Sequence, residues 1–341
     1  MSFEPPADWI RIRTLDLHTC GEPLRIVVDG FPALFGDTIL ARRRFAQEHH
    51  DDLRRLLMLE PRGHADMYGA LLLPPATSDG DLGVLFLHNE GWSTMCGHGI
   101  IGLVKGGLDA GLFRRPGGRD EIRIDTPAGR VVATPQIGED GAVERVSFLN
   151  VPSFVLPPPP TVHVPGLGEL RGTLAFGGAF YLYVDAASAG LELAPTRYPD
   201  IVDRGRRIKR AFVEQHRIRH PAGDPDLNFL YGVIFTEPPR DGRPRRNVCV
   251  FADGEVDRSP TGTGVSGLAA IHHARGELAV GESMTVESLI GTPFEVEVAA
   301  TTEVGGLPAV VPRVTGQAWI TGRHEFLLDP ADPLRDGFLL R

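Results

Sequence analysis

The sequence has few cysteines, no long apolar run and no excess of basic residues. Three cysteines among 341 residues are too few, and odd in number, for a disulfide framework, so we expect a reduced, cytoplasmic protein. No segment approaches the roughly 18 consecutive apolar residues of a membrane-spanning helix, and the N-terminal residues contain no signal-peptide core. We therefore expect no membrane partner.

The small number of basic residues argues against nucleic-acid binding. The chain carries 35 Lys and Arg against 44 Asp and Glu, a formal charge of -9, and a net acidic chain is a poor nucleic-acid binder. The metal-site patterns CxxC and HExxH are missing, as is the phosphate-binding pattern GxxxxGK(S/T). Cys96 and His98 would supply at most two metal ligands. No metal ion is expected, and a phosphate-binding role is a weaker alternative for the glycine-rich loops described below.

What the chain does contain is a series of short β-type runs rich in Val, Ile, Leu and Phe, separated by 41 glycines and 29 prolines. Ten runs are predicted as strands: 10–17, 24–28, 84–88, 121–125, 130–134, 142–149, 179–184, 247–251, 284–287 and 294–298. Helical patterns are fewer: 37–50, 51–57, 97–112, 200–216 and 262–275. Many strands with few helices predict an α+β protein.

A proline-rich segment predicts the domain organisation. Residues 155–165 include four consecutive prolines and can form neither a helix nor a central strand. Chains of this length usually divide into two domains. We therefore predict a first domain of residues 1–155 plus about 315–341, and a second domain of residues 156–314.

Two loops half a chain apart repeat one pattern. Residues 94–99 read TMCGHG and residues 259–264 read SPTGTG, and an apolar helical segment follows each. A predicted strand precedes each loop, and a strand with a Pro/Gly turn follows each helix. The repeat predicts two similar domains whose equivalent loops face each other across a cleft.

Such a loop is suited to an anion. Glycines let the backbone approach a ligand closely, and the unpaired N–H groups at a helix start carry partial positive charge. Two facing loops would hold one carboxylate from both sides. Four residues would supply the amide donors: Gly97, His98, Gly262 and Thr263.

Cys96 opens the first loop. A helix N-terminus lowers the pKa of a thiol from about 8.5, so we expect a thiolate that acts as a general base or nucleophile. Cys20 and Cys249 lack this setting and are interpreted as small buried hydrophobic residues. His98 either contacts a substrate or caps the helix start, and Asp257 either accepts from a substrate ammonium group or forms a turn.

Together these motifs resemble the proline racemase family, which includes hydroxyproline 2-epimerases and trans-3-hydroxy-L-proline dehydratases. The resemblance lies in MCGHG at 95–99 and DRSPTGTG at 257–264, with further matches along nearly the whole chain, including PRGH at 61–64, DMYG at 66–69 and GGAFY at 177–181. It implies the diaminopimelate-epimerase-like fold, in which each of two pseudosymmetric domains wraps a curved, mostly antiparallel sheet around a central helix. It also implies that no cofactor is used.

Thr261 departs from the racemase pattern. Racemases and epimerases of this family carry a cysteine there, because inversion needs a base on each face of the α-carbon, and a threonine hydroxyl is too weak a base at neutral pH. Members that resemble trans-3-hydroxy-L-proline dehydratase carry Cys in the first loop and Thr in the second. The resemblance therefore implies a one-thiol elimination of water from this imino acid, giving Δ1-pyrroline-2-carboxylate through the Δ2 enamine.

The resemblance also implies roles for individual residues. Cys96 would be the single acid/base, and Thr261 would contact the substrate without titrating. His98 and Asp257 would hold the ring nitrogen or the hydroxyl, and Phe251 would line the pocket.

Two other functions stay open at this stage. One is a 4-hydroxyproline 2-epimerase or proline racemase in which Thr261 acts through water. The other, of a different class, is a non-catalytic protein that binds an imino acid. The oligomeric state is open as well, with a homodimer among the candidates.

Overall fold

The computed structural model describes residues 3–223 and 225–340. In these residues the fold is α+β, as the sequence predicts. The helices are α1 (Ile39–His49), α2 (Asp51–Met58), α3 (Gly97–Asp109), α4 (Tyr198–Gln215) and α5 (Gly262–Ala274). None of the helices in this described part of the chain has the length and apolar character needed to cross a lipid bilayer.

Strands make up most of the regular structure. They are β1 (Ile10–Thr19), β2 (Glu22–Asp29), β3 (Tyr68–Leu73), β4 (Leu82–His88), β5 (Trp92–Ser93), β6 (Ile122–Thr126), β7 (Gly129–Ile137), β8 (Val143–Leu149), β9 (Ser153–Val155), β10 (Thr161–Val164), β11 (Gly168–Arg171), β12 (Thr173–Phe176), β13 (Phe180–Asp185), β14 (Leu230–Glu237), β15 (Arg245–Phe251), β16 (Glu255–Val256), β17 (Ser283–Glu287), β18 (Pro293–Val304), β19 (Leu307–Gly316) and β20 (Ala318–Leu328). Hydrogen bonds connect eighteen of them into one sheet, and β10 pairs with β11 in a separate hairpin.

Strand pairing shows that the loop repeat belongs to a repeat of the whole fold. In the first half, β2 pairs parallel with β3, β3 antiparallel with β4, β4 parallel with β6, and β6, β7 and β8 form an antiparallel meander. In the second half, β13, β14, β15, β17, β18 and β19 pair in the same order and with the same directions. Helices α3 and α5 occupy equivalent places, between β5 and β6 and between β16 and β17.

The two halves exchange strands at their junction. After β8 the chain forms β9, which pairs with β12 of the second half, and after β19 it forms β20, which pairs with β1 of the first half. Strands β8 and β19 pair with each other and join the halves. These pairings agree with our proposed division into residues 1–155 plus about 315–341 and residues 156–314, except that β9 pairs with strands of the second half. The first half is hereafter β1–β8 with α1–α3 and β20, and the second half is β9–β19 with α4 and α5.

Each half packs around one central helix. Strands β1, β7, β8 and β20 pack on α3, and β9, β12, β18 and β19 pack on α5. Both helices are rich in glycine and aliphatic residues and are buried along nearly their whole length. A helix that is apolar on all sides belongs inside a core, which is why the sequence could predict these two as buried.

The predicted elements are all present, with shifted ends. Each of the ten predicted strands overlaps a strand of the structure, and the helix bounds differ by a few residues. The segment 155–165 is not entirely irregular, because β10 begins directly after the prolines; it pairs only with β11 and therefore needs no central position in a sheet. The ten predictions do not include the longer strands β3, β14, β19 and β20 or the shorter strands β5, β9, β10, β11, β12 and β16.

The N-termini of α3 and α5 touch each other. A Cβ atom placed on Gly97 would lie 2.5 Å from the Gly262 Cα, and one placed on Gly262 would lie 2.6 Å from the Gly97 Cα. These are the first residues of the two helices. Only glycine at both positions allows this approach. The two loops are therefore in direct contact. The sequence predicts that they face each other across a cleft, and the structure brings them closer together than that.

The substitution Gly97→Ala should force this contact apart. The new methyl group meets backbone atoms of α5, which cannot rotate away, so we expect a loss of about 1–3 kcal/mol in the free energy of unfolding. Urea denaturation followed by circular dichroism measures it. Gly91→Ala is the matched control, because a Cβ at Gly91 would have no neighbour within 4 Å. Equal stability of the two variants would contradict the close approach.

Candidate active site

A small cavity lies where the N-termini of α3 and α5 meet. Residues of both halves line it: Tyr68, Met95, Cys96, Gly97, His98, Tyr181, Tyr231, Cys249, Phe251, Asp257, Thr261, Gly262 and Thr263. The eight residues that the sequence analysis assigned to the site are all in this set. The fold thus brings into one place two loops that lie half a chain apart.

Cys96 caps helix α3 with its sulfur atom. Its backbone is extended, with φ -146° and ψ 113°, and Sγ accepts a hydrogen bond from the Gly99 N–H at 3.3 Å. Sγ also lies 3.1 Å from His98 Nδ1. Only 4% of the residue is exposed. The sulfur is therefore fixed at the cavity wall by a backbone amide and an imidazole.

Burial controls the charge of this thiol. The pKa of Cys96 is raised well above its ordinary value, because burial disfavours the thiolate more than the Gly99 N–H stabilises it. The Asp257 and Glu22 carboxyl groups raise this pKa further, whereas Tyr68 lowers it. In this geometry burial opposes the lowering of the pKa that is expected of a helix start. Alkaline pH, or a positive charge brought by a ligand, would favour the thiolate.

His98 is an uncharged neighbour of the thiol. Burial lowers the pKa of its imidazole to about 3, although a backbone hydrogen bond with Pro23 acts in the opposite direction. The His98 carbonyl accepts from Thr19 Oγ1 at 2.9 Å, which ties the first turn of α3 to β1. A neutral imidazole donates at one nitrogen and accepts at the other. His98 can therefore orient the sulfur without placing a positive charge beside it.

Thr261 has the equivalent position before α5 but a different conformation. Its φ of 68° lies in the left-handed region, which β-branched residues rarely adopt. Its N–H donates to Ser259 Oγ at 3.1 Å. Its Oγ1 is buried and forms no hydrogen bond of good geometry with the residues that the structure describes, although it is near enough to Asp257 and Cys249 to lower the pKa of both. A buried hydroxyl without a partner is costly, so this oxygen is a candidate contact for a bound molecule.

Asp257 supplies negative charge to the cavity. Its carboxyl group is buried, and Oδ1 accepts from the Ser259 N–H at 2.7 Å. Burial raises the pKa of this carboxyl group to about 6, while the hydrogen bonds of Ser259, the Thr261 side chain and the charge of Arg258 oppose the rise. At neutral pH the group is mostly ionised. It can therefore accept a hydrogen bond from a cationic group of a ligand.

Charged groups of the first half hold the Asp257 loop in place. The Arg258 N–H donates to Glu22 Oε2 at 2.6 Å, and the Arg258 guanidinium lies 2.6 Å from Asp66 Oδ2. Asp66 Oδ2 also accepts from the Tyr198 hydroxyl at 3.1 Å. Burial raises the pKa of Glu22 well above its ordinary value. These contacts join the two halves directly behind the cavity.

Aromatic rings form the opposite wall. Tyr231 and Phe251 stack with their ring centroids 5.3 Å apart, and Tyr68 meets the His98 ring edge-on at 4.8 Å. Rings at these distances are typical of favourable aromatic pairs. The wall gives the cavity an apolar face on which a small saturated ring could pack.

The sequence analysis did not assign five of the lining residues. Tyr68 and Tyr181 lie in the motifs DMYG and GGAFY, which were noted as family matches but given no role. Tyr231 lies on the unpredicted strand β14. Cys249 is buried, as expected, although it also lines the cavity. The remaining one is Met95, next to Cys96 in the first loop.

The cavity offers the groups that a small zwitterion requires. The first N–H groups of each helix have no intrahelical carbonyl acceptor, although the Gly99 N–H donates to Cys96 Sγ, and Asp257 provides a carboxylate in the same cavity. Across residues 3–223 and 225–340, no three His, Cys, Asp or Glu side chains are grouped so that they could hold a metal ion.

The sequence model of the family described as proline racemase matches residues 14–339. The chain belongs to the proline racemase family. A trans-3-hydroxy-L-proline dehydratase from Colwellia psychrerythraea is 45% identical over 334 residues, which cover 98% of this chain and 94% of that protein. A 3-hydroxyproline 2-epimerase from Burkholderia multivorans is 44% identical over 331 residues, which cover 97% of this chain and 98% of that protein.

A solved structure has a similar fold. It is the crystal structure of a hydroxyproline epimerase from Agrobacterium vitis with bound trans-4-hydroxy-L-proline. It superposes on this chain with a TM-score of 0.91 at 32% sequence identity, and covers 97% of this chain and 96% of its own. The prediction of a proline racemase family fold is confirmed.

The charge state of Cys96 in this proline racemase family member can be measured by thiolate absorbance at 240 nm. Because the pKa is raised, the thiolate should be minor at pH 7 and its fraction should grow about tenfold per pH unit below the midpoint. The signal is the difference between the protein and its Cys96→Ser variant, which removes the contributions of tyrosines and the other cysteines. A midpoint below pH 8 would show that the helix start outweighs burial.

Proposed function

We propose that this protein is a cofactor-independent hydro-lyase that removes water from trans-3-hydroxy-L-proline. The first product is the Δ2 enamine, which tautomerises to Δ1-pyrroline-2-carboxylate. The observation that carries the proposal is the presence of one thiol, Cys96, and one hydroxyl, Thr261, at equivalent helix starts in a single cavity. Only the thiol can serve as a base near neutral pH.

The names of relatives support this assignment. Besides the Colwellia protein, a relative from Bacillus cereus named trans-3-hydroxy-L-proline dehydratase is 45% identical over 328 residues, or 96% of this chain. We further propose a cytoplasmic location, because all three cysteines are unpaired in the structure.

The stereochemistry of the substrate explains why one base suffices. In trans-3-hydroxy-L-proline the 3-hydroxyl is trans to the carboxylate, and the α-hydrogen also lies opposite the carboxylate. Hydrogen and hydroxyl therefore share one face of the ring. A single group on that face can remove the proton and then transfer it to the departing hydroxide, so a second thiol is not needed.

The cavity can hold this substrate by its two charged groups. The carboxylate would lie against the N–H groups of the helix starts, where glycine at positions 97 and 262 leaves the backbone uncovered. The ring ammonium would face Asp257, and the ring carbons would pack against Phe251. The unpartnered hydroxyl of Thr261 would complete its hydrogen bonding on the substrate.

The reaction then needs two proton movements on Cys96. The thiolate removes the α-proton, and the electron pair left on the α-carbon forms the C2–C3 double bond as the C3–O bond breaks. The proton on Sγ passes to the departing oxygen, which leaves as water, and the thiolate is restored. The helix starts stabilise the charge that builds on the carboxylate in the transition state. His98 keeps Sγ in place without donating a charge.

Product formation tests the proposal directly. Incubation with trans-3-hydroxy-L-proline and a metal chelator should give pyrroline-2-carboxylate, detected by mass spectrometry or coupled reduction. Cys96→Ser should lower turnover by at least about 10²–10⁴-fold, because it removes the acid/base. Cys20→Ser is the matched control, since Cys20 is also buried but does not line the cavity. Full activity of Cys96→Ser, or ligand binding with no product, would favour a non-catalytic binding protein.

The second candidate is a 2-epimerase, which the name of the Burkholderia relative favours. Epimerisation requires a proton donor on the face opposite Cys96, and the only group at the equivalent loop position is Thr261. We therefore expect that L-proline or trans-4-hydroxy-L-proline in D2O is not inverted at Cα. Chiral chromatography and mass spectrometry measure this. Deuterium at Cα with inversion would overturn the one-base mechanism, whereas deuterium with retention would agree with it.

A further inference from the structure

Two tyrosine hydroxyls from opposite halves meet in the cavity. Tyr68 begins β3 of the first half, and Tyr231 lies on β14 of the second half. Their hydroxyl oxygens are 3.1 Å apart, and both residues are buried. They account for two of the five tyrosines in the chain. This hydroxyl pair has no part in the elimination described above.

Hydrogen-bond arithmetic leaves one donor of the pair for another group. Each tyrosine hydroxyl has one hydrogen, and the contact between the two oxygens uses only one of the two hydrogens. A buried hydroxyl hydrogen is expected to find an acceptor. Burial raises the pKa of both hydroxyls well above the ordinary value, so both keep their hydrogens at neutral pH. Ser93 is a hydrogen-bonding neighbour of both hydroxyls, and Cys96 is one of the Tyr68 hydroxyl. A ligand oxygen beside the pair would accept the spare hydrogen in place of one of these two side chains.

The pair lies on the side of the cavity where the leaving group must be. The Tyr68 hydroxyl is close enough to Cys96 to affect its thiol, and its ring contacts the His98 ring. In the proposed elimination the oxygen on C3 receives its proton from Cys96 Sγ. That oxygen must therefore lie beside the sulfur, within the region that Tyr68 and Tyr231 border.

We infer that the hydroxyl pair of Tyr68 and Tyr231 recognises the 3-hydroxyl of the substrate and makes the site specific for a 3-hydroxylated ring. This inference rests on the proposed function. The unshared O–H of the pair donates to the 3-hydroxyl oxygen and stabilises negative charge on it as the C3–O bond breaks. Cys96 still supplies the proton that completes the water, so the pair exchanges no atoms with the substrate.

A third tyrosine provides an internal contrast. The Tyr181 hydroxyl also lies in the cavity, but it is 2.6 Å from Thr263 Oγ1 at the start of α5. It supports the loop that we assign to the carboxylate, which every imino acid carries. Removing the Tyr181 hydroxyl should therefore affect hydroxylated and plain imino acids alike, whereas removing Tyr68 or Tyr231 hydroxyls should affect only the former.

The test compares two ligands that differ by one hydroxyl. Calorimetry on the Cys96→Ser protein gives dissociation constants for trans-3-hydroxy-L-proline and L-proline without turnover. Adding Tyr68→Phe or Tyr231→Phe should weaken the hydroxylated ligand about fivefold to tenfold and leave L-proline within twofold, because one neutral hydrogen bond is lost. Adding Tyr181→Phe should weaken both ligands by similar factors.

Several outcomes would overturn the inference. Equal weakening of both ligands by Tyr68→Phe and Tyr231→Phe would assign the pair to general packing, and no weakening of either would leave it without a role in recognition. Thermal melting of each variant identifies a misfolded protein. If one of the two Tyr→Phe variants is misfolded, the binding constants of the other variant decide the test. Failure of the proposed function gives a different result from failure of this inference. If the proposed function is wrong, the unsubstituted protein forms no pyrroline-2-carboxylate, whatever the binding constants are.

Discussion

The backbone contact between Gly97 and Gly262 is the constraint on which the rest of the site depends. It places two helix starts side by side, so their N–H groups converge on one small volume. A side chain at either position would separate the helices and cover the amides. The two halves are also joined by the hydrogen bond from the Arg258 N–H to Glu22 and by the ion pair of Arg258 with Asp66. The cavity therefore has little freedom to change its width without breaking both kinds of contact.

The same enclosure explains the protonation states of the cavity. Taking Cys96, His98 and Asp257 out of water disfavours the charged form of each, which raises the pKa of the thiol and the carboxyl group and lowers that of the imidazole. A substrate that brings a positive and a negative charge changes this balance. Its ammonium group favours the thiolate and the Asp257 carboxylate. Burial thus keeps the thiol unreactive towards most molecules and couples its activation to the arrival of the right charges.

The loops could be predicted because their chemistry is local in sequence. A hydroxyl-containing residue, a Cys or Thr, and two glycines before an apolar helix identify a helix start at which a ligand can bind, and the repeat shows that there are two. Tyr68 and Tyr231 could not be assigned in this way. Each is one aromatic residue on a strand, and only the pairing of β3 and β14 in their own halves brings the two hydroxyls together. The position of β20, which pairs with β1 from the other end of the chain, likewise depends on contacts far apart in sequence.

The two helix starts are equivalent in sequence but not in conformation. Cys96 is extended and turns its sulfur back to cap its own helix, whereas Thr261 has a left-handed backbone and leaves its hydroxyl without a partner among the described residues. A left-handed β-branched residue costs on the order of 1–3 kcal/mol and persists only where the surrounding structure holds it. The Ser259 hydroxyl contributes by accepting the Thr261 N–H. The cavity is therefore one-sided in its chemistry: one helix start presents an acid/base, and the other presents a neutral contact. Elimination from a single face of the ring needs only one acid/base, whereas inversion at the α-carbon would need an acid/base at both helix starts.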